Sequence, residues 1–220
     1  GDPSHYQPRH WGSHTVDGPA TKLNIHDDAM QGLFWTLYHP IGPVSQEPIT
    51  GVNETYVHGI FGDIFDVVYS APGSVKPPDL TPYRVLIVGG DIELTRAEGR
   101  RLKSYVEHGG TLVVARGQLR GDGAQALALP AGGQTKEADT YMWRDRPWVP
   151  AQRFRYRPIE GGAPMAKPPE GDVFCAYFDR GEGRLIYLSV PYGLGIDRQP
   201  IPPLALLAAH ATRRLMPIEV

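Results

Sequence analysis

The strongest pattern in the chain is an apolar, largely β-branched run at 83–90, Tyr-Arg-Val-Leu-Ile-Val-Gly-Gly. A run that is apolar on both faces is typical of a strand inside a parallel sheet. Thr95 and Glu98 then form a T-x-x-E capping box, which predicts a helix over 96–108 that a Gly-Gly pair ends. A second apolar run follows at 111–115. This strand, helix and strand order within about 30 residues predicts a right-handed crossover, and hence two parallel strands.

Weaker patterns lie on either side of this unit. Helical spacing predicts helices that begin near Asp28 and Asn53, and a strand at 65–69 is expected to join the same parallel sheet. Further along, the apolar runs 173–178 and 184–190 flank the turn Asp-Arg-Gly-Glu-Gly and predict a hairpin. A last helix is expected after Pro202-Pro203, with Ala211 among its buried residues.

These elements predict the fold class and the domain organisation. The expected fold is α/β, with a doubly wound, mostly parallel sheet and an antiparallel C-terminal hairpin. Residues 1–20 lack a sustained period and are expected to form an extended arm. Residues 21–220 are expected to form one domain, with a loop-rich insertion near 131–170, where the pattern suits either short antiparallel strands or a long insertion.

Composition and charge narrow the range of partners. The 220 residues are 41% hydrophobic, and 22 basic residues against 24 acidic ones give a formal charge of −2. No basic run tracks a phosphate backbone and no apolar stretch is long enough for a membrane helix, so neither nucleic acid nor membrane is an expected partner. We expect no cofactor. The Gly1-Asp2-Pro3 start favours an excised or processed fragment, and a secreted or periplasmic location is preferred to a cytoplasmic one.

The run at 83–119 and the ending Gly-Glu-Gly-Arg-Leu-Ile-Tyr-Leu-Ser-Val-Pro-Tyr-Gly-Leu-Gly at 181–195 resemble class I glutamine amidotransferase-like domains. The resemblance spans about residues 60–215 and is greatest to non-catalytic versions, such as the trimerisation domain of bacterial β-galactosidases. It implies a flavodoxin-like fold. It also implies a role in assembly, as a homo-oligomer or beside neighbouring domains of a longer parent chain, or in binding a carbohydrate ligand.

The catalytic positions of active amidotransferases are vacant in this sequence. Such enzymes place a Cys on a sharp turn after a strand, and a His and a Glu after a late strand activate it. Here the turn reads Ala115-Arg116-Gly117-Gln118, the late strand ends in Ser189-Val190-Pro191-Tyr192, and no His lies between His108 and His210. The only thiol, Cys175, lies mid-strand and is expected to pack in the core.

Candidate ligand-binding residues follow from the topology, because ligand sites in open α/β sheets gather at the carboxyl ends of strands. This edge is expected to bring together His26, Asp27, Gly90, Asp91, Arg116 and Gly117. Each has a structural alternative. Asp27 or Asp28 can cap a helix, Gly90-Asp91 can form a tight turn, and Arg116 can make a surface ion pair instead of binding an anion.

Two functions of different classes remain open at this point. The first is a non-catalytic domain of a larger carbohydrate-related protein. The second is a hydrolase or metal-dependent enzyme with a rearranged site, built from His26, Asp27, Asp28, Asp91 and Glu93. We expect no metal site, because the His and Asp spacing matches no recognised ligand pattern. The aromatic residues Tyr141, Trp143, Trp148 and Tyr156 are expected to pack in the core, with stacking on sugar rings or a protein interface as alternatives.

Overall fold

A computed structural model describes residues 77–88, 92–116, 119–130, 132–144, 146–148, 153–190 and 210–211. The predicted arm, the helices near Asp28 and Asn53 and the strand at 65–69 lie outside these ranges. Of the predicted last helix, only His210 and Ala211 are described, and both are helical. None of the helices described is long and apolar enough to cross a membrane.

The described elements are two helices and eleven strands. The first half contains β1 (Val85–Ile87), β2 (Ile92–Glu93), α1 (Arg96–Glu107), β3 (Thr111–Ala115), β4 (Leu119–Arg120) and α2 (Asp122–Ala126). The second half contains β5 (Lys136–Ala138), β6 (Tyr141–Trp143), β7 (Arg146–Trp148), β8 (Phe154–Tyr156), β9 (Ala163–Lys167), β10 (Cys175–Arg180) and β11 (Gly183–Leu188).

The unit β1, α1 and β3 confirms the predicted crossover elements. Strand β1 pairs with β3 in parallel, with Leu86 opposite Leu112. At the start of α1 the Thr95 hydroxyl accepts a hydrogen bond from the Glu98 amide at 3.3 Å, and the Glu98 carboxylate accepts one from the Thr95 amide at 2.7 Å. The helix ends where Gly109 adopts a φ of +104°, a conformation that glycine reaches without steric cost.

The main sheet has seven strands in the order β1-β3-β11-β10-β9-β6-β7. The ladders β1–β3 and β3–β11 are parallel, whereas β11–β10, β10–β9, β9–β6 and β6–β7 are antiparallel. Over the described residues the sheet is therefore mixed, and the expectation of a mostly parallel sheet is wrong for them. The physical reason is local for two of these pairs: β6 and β7 lie two residues apart, as do β10 and β11, and such short connections pair strands antiparallel, while parallel pairing needs a long crossover.

The predicted hairpin is confirmed. Strand β10 pairs with β11 in antiparallel register from Cys175–Leu188 to Arg180–Gly183, so the turn is only Gly181 and Glu182. The Glu182 amide donates to the carbonyl of Glu107 at 3.0 Å, which joins this turn to the end of α1. Within 131–170 the strands are short and antiparallel, and β5 and β8 form a separate two-stranded sheet.

Apolar side chains cover both faces of the main sheet. Alternate residues of β3 and β11 point to opposite faces, as the period of a strand requires. On one face Leu112, Val114 and Leu185 pack with Val106 of α1 and Leu127 after α2. On the other face Val113, Ile186 and Leu188 pack with an aromatic group from the insertion and with the helical residue Ala211; the buried rings of this group are Tyr141, Trp143, Phe154, Tyr156 and Phe174.

Candidate functional site

Two parallel strands end side by side at the predicted carboxyl edge of the sheet. Leu188 of β11 is paired with Ala115 of β3, and the Arg116 amide donates to the Leu188 carbonyl at 2.8 Å. Arg116 directly follows β3 and Ser189 directly follows β11, so the two residues are neighbours. These are the two turns that the sequence comparison found without the catalytic residues of an active amidotransferase, and the structure places them together.

Tyr187 lies on the α1 side of the sheet. Leu185 packs on that side and Ile186 and Leu188 pack on the aromatic side, so the alternation of β11 places Tyr187 with Leu185. Tyr187 is 6% exposed and packs with Ile159, which lies two residues after Arg157. We call Arg116, Arg157, Tyr187 and Ser189 the strand-end cluster.

The electrostatics of the strand-end cluster are those of two cations beside a neutral phenol. Burial lowers the pKa of the Arg116 guanidinium, and the positive charge of Arg157 lowers it further. Burial also raises the pKa of the Tyr187 phenol, against the opposing influence of both guanidinium groups. Tyr187 therefore stays protonated at neutral pH and can donate a hydrogen bond.

Ser189 has a buried hydroxyl whose hydrogen-bonding capacity is unused. The residue is 2% exposed, and its Oγ has no hydrogen-bond partner within the described part of the chain. The Ser189 amide is satisfied, because it donates to the Phe174 carbonyl at 2.7 Å. An unpaired buried hydroxyl costs about 1–3 kcal/mol, so its presence at a strand end is informative.

Arg180 fixes the loop that follows α2. Its guanidinium donates to the carbonyls of Leu127 and Ala128, the latter at 2.8 Å, at the end of α2. Leu129, which follows directly, packs against the apolar group that contains Tyr187 and Ile159. The loop after α2 is thus fixed to the sheet by a cation that satisfies its carbonyl groups, in agreement with the general behaviour of helix C-termini.

Of the predicted ligand-binding residues, only Arg116 lies within the described ranges. His26, Asp27, Gly90, Asp91 and Gly117 lie outside the described ranges, as does Asp28. Glu93 lies in β2 and is exposed. Within the same ranges no three His, Cys, Asp or Glu side chains come together in a group that would hold a metal ion.

Cys175 and the described aromatic residues occupy core positions, as predicted. Cys175 is fully buried on β10, and burial raises the pKa of its thiol, so it lacks the thiolate character of a nucleophile. Tyr141, Trp143 and Tyr156 are 0%, 8% and 2% exposed, and Tyr141 makes an edge contact with Phe174 at 5.7 Å between ring centroids. These three rings are not available to stack on a sugar, and the side chain of Trp148 lies outside the described residues.

An open groove of about 600 Å³ lies at the opposite, amino end of β1 and β3, beside Arg84 and Gly110. Two of its basic side chains already have partners in the chain. The Arg101 guanidinium donates to the Pro78 carbonyl, and His108 Nδ1 lies 2.7 Å from the Ser104 carbonyl oxygen. The strand-end cluster, with two cations and an unused hydroxyl, is the better candidate for a binding site.

Sequence reasoning found Arg116 but missed Arg157, Tyr187 and Ser189 as members of one site. Ser189 and Tyr187 could have been found, since they end the strand that the resemblance aligned with the late catalytic strand, and period-two alternation places them on one face. Arg157 has no local signal. It follows the short strand β8, and its influence on the pKa of Arg116 and of Tyr187 is what relates it to them.

The arrangement defines a mixed α/β sheet domain with a polar strand edge, and the comparisons with known proteins agree with that class. A β-galactosidase from Bacillus circulans sp. alkalophilus has a TM-score of 0.53 at 12% identity, covering 94% of this chain and 30% of that chain. The chain therefore has a fold that occurs as a part of a β-galactosidase. No protein-family model matches the chain, and no curated protein matches it in sequence.

Other β-galactosidases have lower TM-scores. The enzyme from the Antarctic haloarchaeon Halorubrum lacusprofundi has a TM-score of 0.47 at 16% identity, covering 62% of this chain and 23% of that one. A GH42 β-galactosidase from G. stearothermophilus has a TM-score of 0.46 at 15% identity, covering 63% and 22%. This chain spans less than a third of the length of each of these three proteins.

Proposed function

We propose that this chain is a non-catalytic α/β domain of the class I glutamine amidotransferase-like, flavodoxin-like type, and that it serves assembly or ligand binding in a larger carbohydrate-related protein. The observation that carries the proposal is the identity of the residues at the two adjoining strand ends. Arg116 and Ser189 stand there side by side, where an amidotransferase would need a thiol and its base. Within the described residues the Ser189 hydroxyl has no hydrogen-bond partner, and hence no general base that would activate it.

Two further observations support the proposal. The likeness to the Bacillus circulans β-galactosidase covers most of this chain but under a third of that one, as expected of one domain in a longer protein. Ala211 is helical and packs on the sheet face opposite α1, which favours helices on both faces and hence a doubly wound arrangement. A homo-oligomer or a neighbouring domain of the parent chain is the expected assembly partner.

The proposal is tested by ammonia release from glutamine, measured on the 220-residue chain and on Cys175→Ala and Ser189→Ala. We expect all three to match the buffer blank, because the thiol of Cys175 is buried and the Ser189 hydroxyl has no partner among the described residues. Turnover above the blank that either substitution abolishes would show a working nucleophile and overturn the proposal. Sedimentation velocity on the same samples measures self-association, and a concentration-dependent increase in mass would support the assembly role.

A further inference from the structure

We propose that the open groove at the amino end of β1 and β3 is a second site, separate from the strand-end cluster, and that it binds a neutral saccharide. The groove is lined by residues of the segment 79–84 and by the second half of α1 with the turn that follows it. Its volume of about 600 Å³ lies in the range of small-ligand pockets, about 300–1,000 Å³. The inference rests on the ligand-binding part of the proposed function and names the class of ligand.

Hydrogen bonds hold the two sides of the groove together. The Arg101 guanidinium of α1 donates to the Pro78 carbonyl, which ties the start of the 79–84 segment to the helix. Within that segment the Asp79 carboxylate accepts a hydrogen bond from the Thr81 amide at 2.9 Å. The lining groups are therefore held in place before a ligand arrives, which lowers the entropy that binding costs.

Two tyrosine rings line the groove, and the structure fixes the place of one of them. Tyr83 and Tyr105 are both half-buried, so each leaves ring surface open to a ligand. The Tyr105 hydroxyl donates to the Thr111 carbonyl at 3.4 Å, and its ring lies over Gly110, where a Cβ would overlap three of the ring carbons. A rigid aromatic ring offers the apolar surface on which the C–H face of a sugar ring packs.

The charges in the groove have both signs. Arg84 and Asp79 are exposed, so a ligand can reach them, and Arg101 is half-buried beside them in the lining. A ligand with a net charge would be attracted by one sign and repelled by the other, whereas a neutral ligand meets no repulsion. A saccharide hydroxyl is a donor and an acceptor at once, so one ligand can pair with a carboxylate and with a guanidinium. The lining therefore matches a neutral polyhydroxylated ring better than an ion.

The site is tested on the 220-residue chain by two-dimensional NMR, in which the backbone amide shifts are followed during titration with lactose and with cellobiose. Sorbitol is the matched control, because it has the hydroxyl groups of a sugar but no ring. We expect saturable shifts at 79–84 and 104–110 with a disaccharide and none with sorbitol. No saturable shift with either disaccharide at about 10 mM, tenfold above a weak dissociation constant of about 1 mM, would overturn the proposal. Saturable shifts confined to other residues, or equal shifts with sorbitol, would also overturn it.

Matched arginine substitutions show whether the groove carries the binding. Arg84→Gln removes an exposed charge of the groove and is expected to weaken disaccharide binding by about tenfold, as for the loss of a charged hydrogen bond. Arg100→Gln removes the same charge from an exposed position of α1 outside the lining, and is expected to leave the affinity unchanged. Equal affinity in the two variants would contradict the proposal.

A substitution beneath the ring tests the role of Tyr105. Gly110→Ala is expected to displace the ring and to weaken binding by about threefold to tenfold, the contribution of an aromatic contact. Tyr105→Phe keeps the ring over Gly110 and is expected to bind like wild type. Wild-type affinity in a folded Gly110→Ala would show that the ring does not touch the ligand and would overturn the site as described. If Gly110→Ala fails to fold, the exposed position of Arg84 keeps the test valid.

Failure of this inference and failure of the proposed function give different results. If the same amides shift with protein concentration when no saccharide is present, the groove is an interface between copies of the chain. That result, like an absence of saccharide binding, would overturn the groove as a saccharide site and leave the proposed assembly role intact. Turnover of glutamine above the blank would instead overturn the proposed function.

Discussion

At the scale of single residues, the buried hydroxyl of Ser189 carries a cost in stability. Its Oγ is buried without a partner in the described structure, and such a group costs about 1–3 kcal/mol. Ser189→Ala removes the hydroxyl and leaves a methyl group of similar size. We expect the ligand-free variant to be more stable than wild type by about 1 kcal/mol, measured by urea unfolding.

The control for this measurement is Ser104→Ala, an exposed serine of α1, which is expected to change the free energy of unfolding by less than about 0.5 kcal/mol. Destabilisation by Ser189→Ala of more than the control would contradict the prediction, since it would mean that the hydroxyl has a favourable partner in the free chain. The difference between the two variants therefore measures whether the Ser189 hydroxyl lowers the stability of the folded chain.

The residues of the candidate site differ in how far the sequence could predict them. Arg116 follows an apolar strand directly, and its position at the carboxyl edge follows from the parallel pairing that the local pattern predicts. Arg157 follows β8 in a segment of short strands, and its place depends on the contact between Ile159 and Tyr187, which are far apart in sequence. Local patterns do not encode such contacts.

At the scale of elements, α1 and α2 meet through two glycines. A Cβ on Gly99 would lie 2.1 Å from the Gly123 carbonyl oxygen, and a Cβ on Gly123 would lie 2.1 Å from the Thr95 carbonyl oxygen. Helix propensity alone predicts that Gly99→Ala stabilises the helix by about 1 kcal/mol. The contact predicts the opposite, because a backbone atom must move and overpacking costs about 1–3 kcal/mol.

We expect the cost of overpacking to exceed the gain in helix propensity, so that Gly99→Ala lowers the free energy of unfolding in urea. Arg100→Ala is the matched control on the next residue, where the side chain is exposed and a change to alanine is expected to be nearly neutral. If Gly99→Ala proved as stable as the control, the two helices would have to separate without cost, and the close contact would not constrain the fold.

The helix and its flanking strands were predictable because their signals are local. The capping box, the Gly-Gly end and the apolar runs all lie within 83–115, and the structure reproduces them within a few residues. The strand order β11-β10-β9-β6-β7 was not predictable, because pairing between strands depends on cross-strand contacts that no short pattern contains. The aromatic residues of the insertion revealed burial but not register.

At the scale of the whole molecule, one sheet supports both parts of the core. Alternate residues of β3 and β11 belong to different apolar groups, Leu112 and Leu185 on the α1 side, and Val113 and Ile186 on the aromatic side. Loss of either group would expose one face of the same strands to water. The two groups should therefore stabilise each other, and unfolding should be a single cooperative transition.

This cooperativity is tested with one substitution on each side, Val106→Ala in α1 and Phe154→Leu in β8, both at positions 2% exposed or less. Each is expected to lower stability by about 1–3 kcal/mol through lost core contacts. Unfolding is followed by far-UV circular dichroism, which reports helix and strand, and by near-UV circular dichroism, which reports aromatic packing. We expect the two midpoints to coincide in wild type and to shift together in both variants. Should Val106→Ala move the far-UV midpoint while the near-UV midpoint stays in place, the two faces would unfold separately, and the strand-end cluster would lie between two independent units.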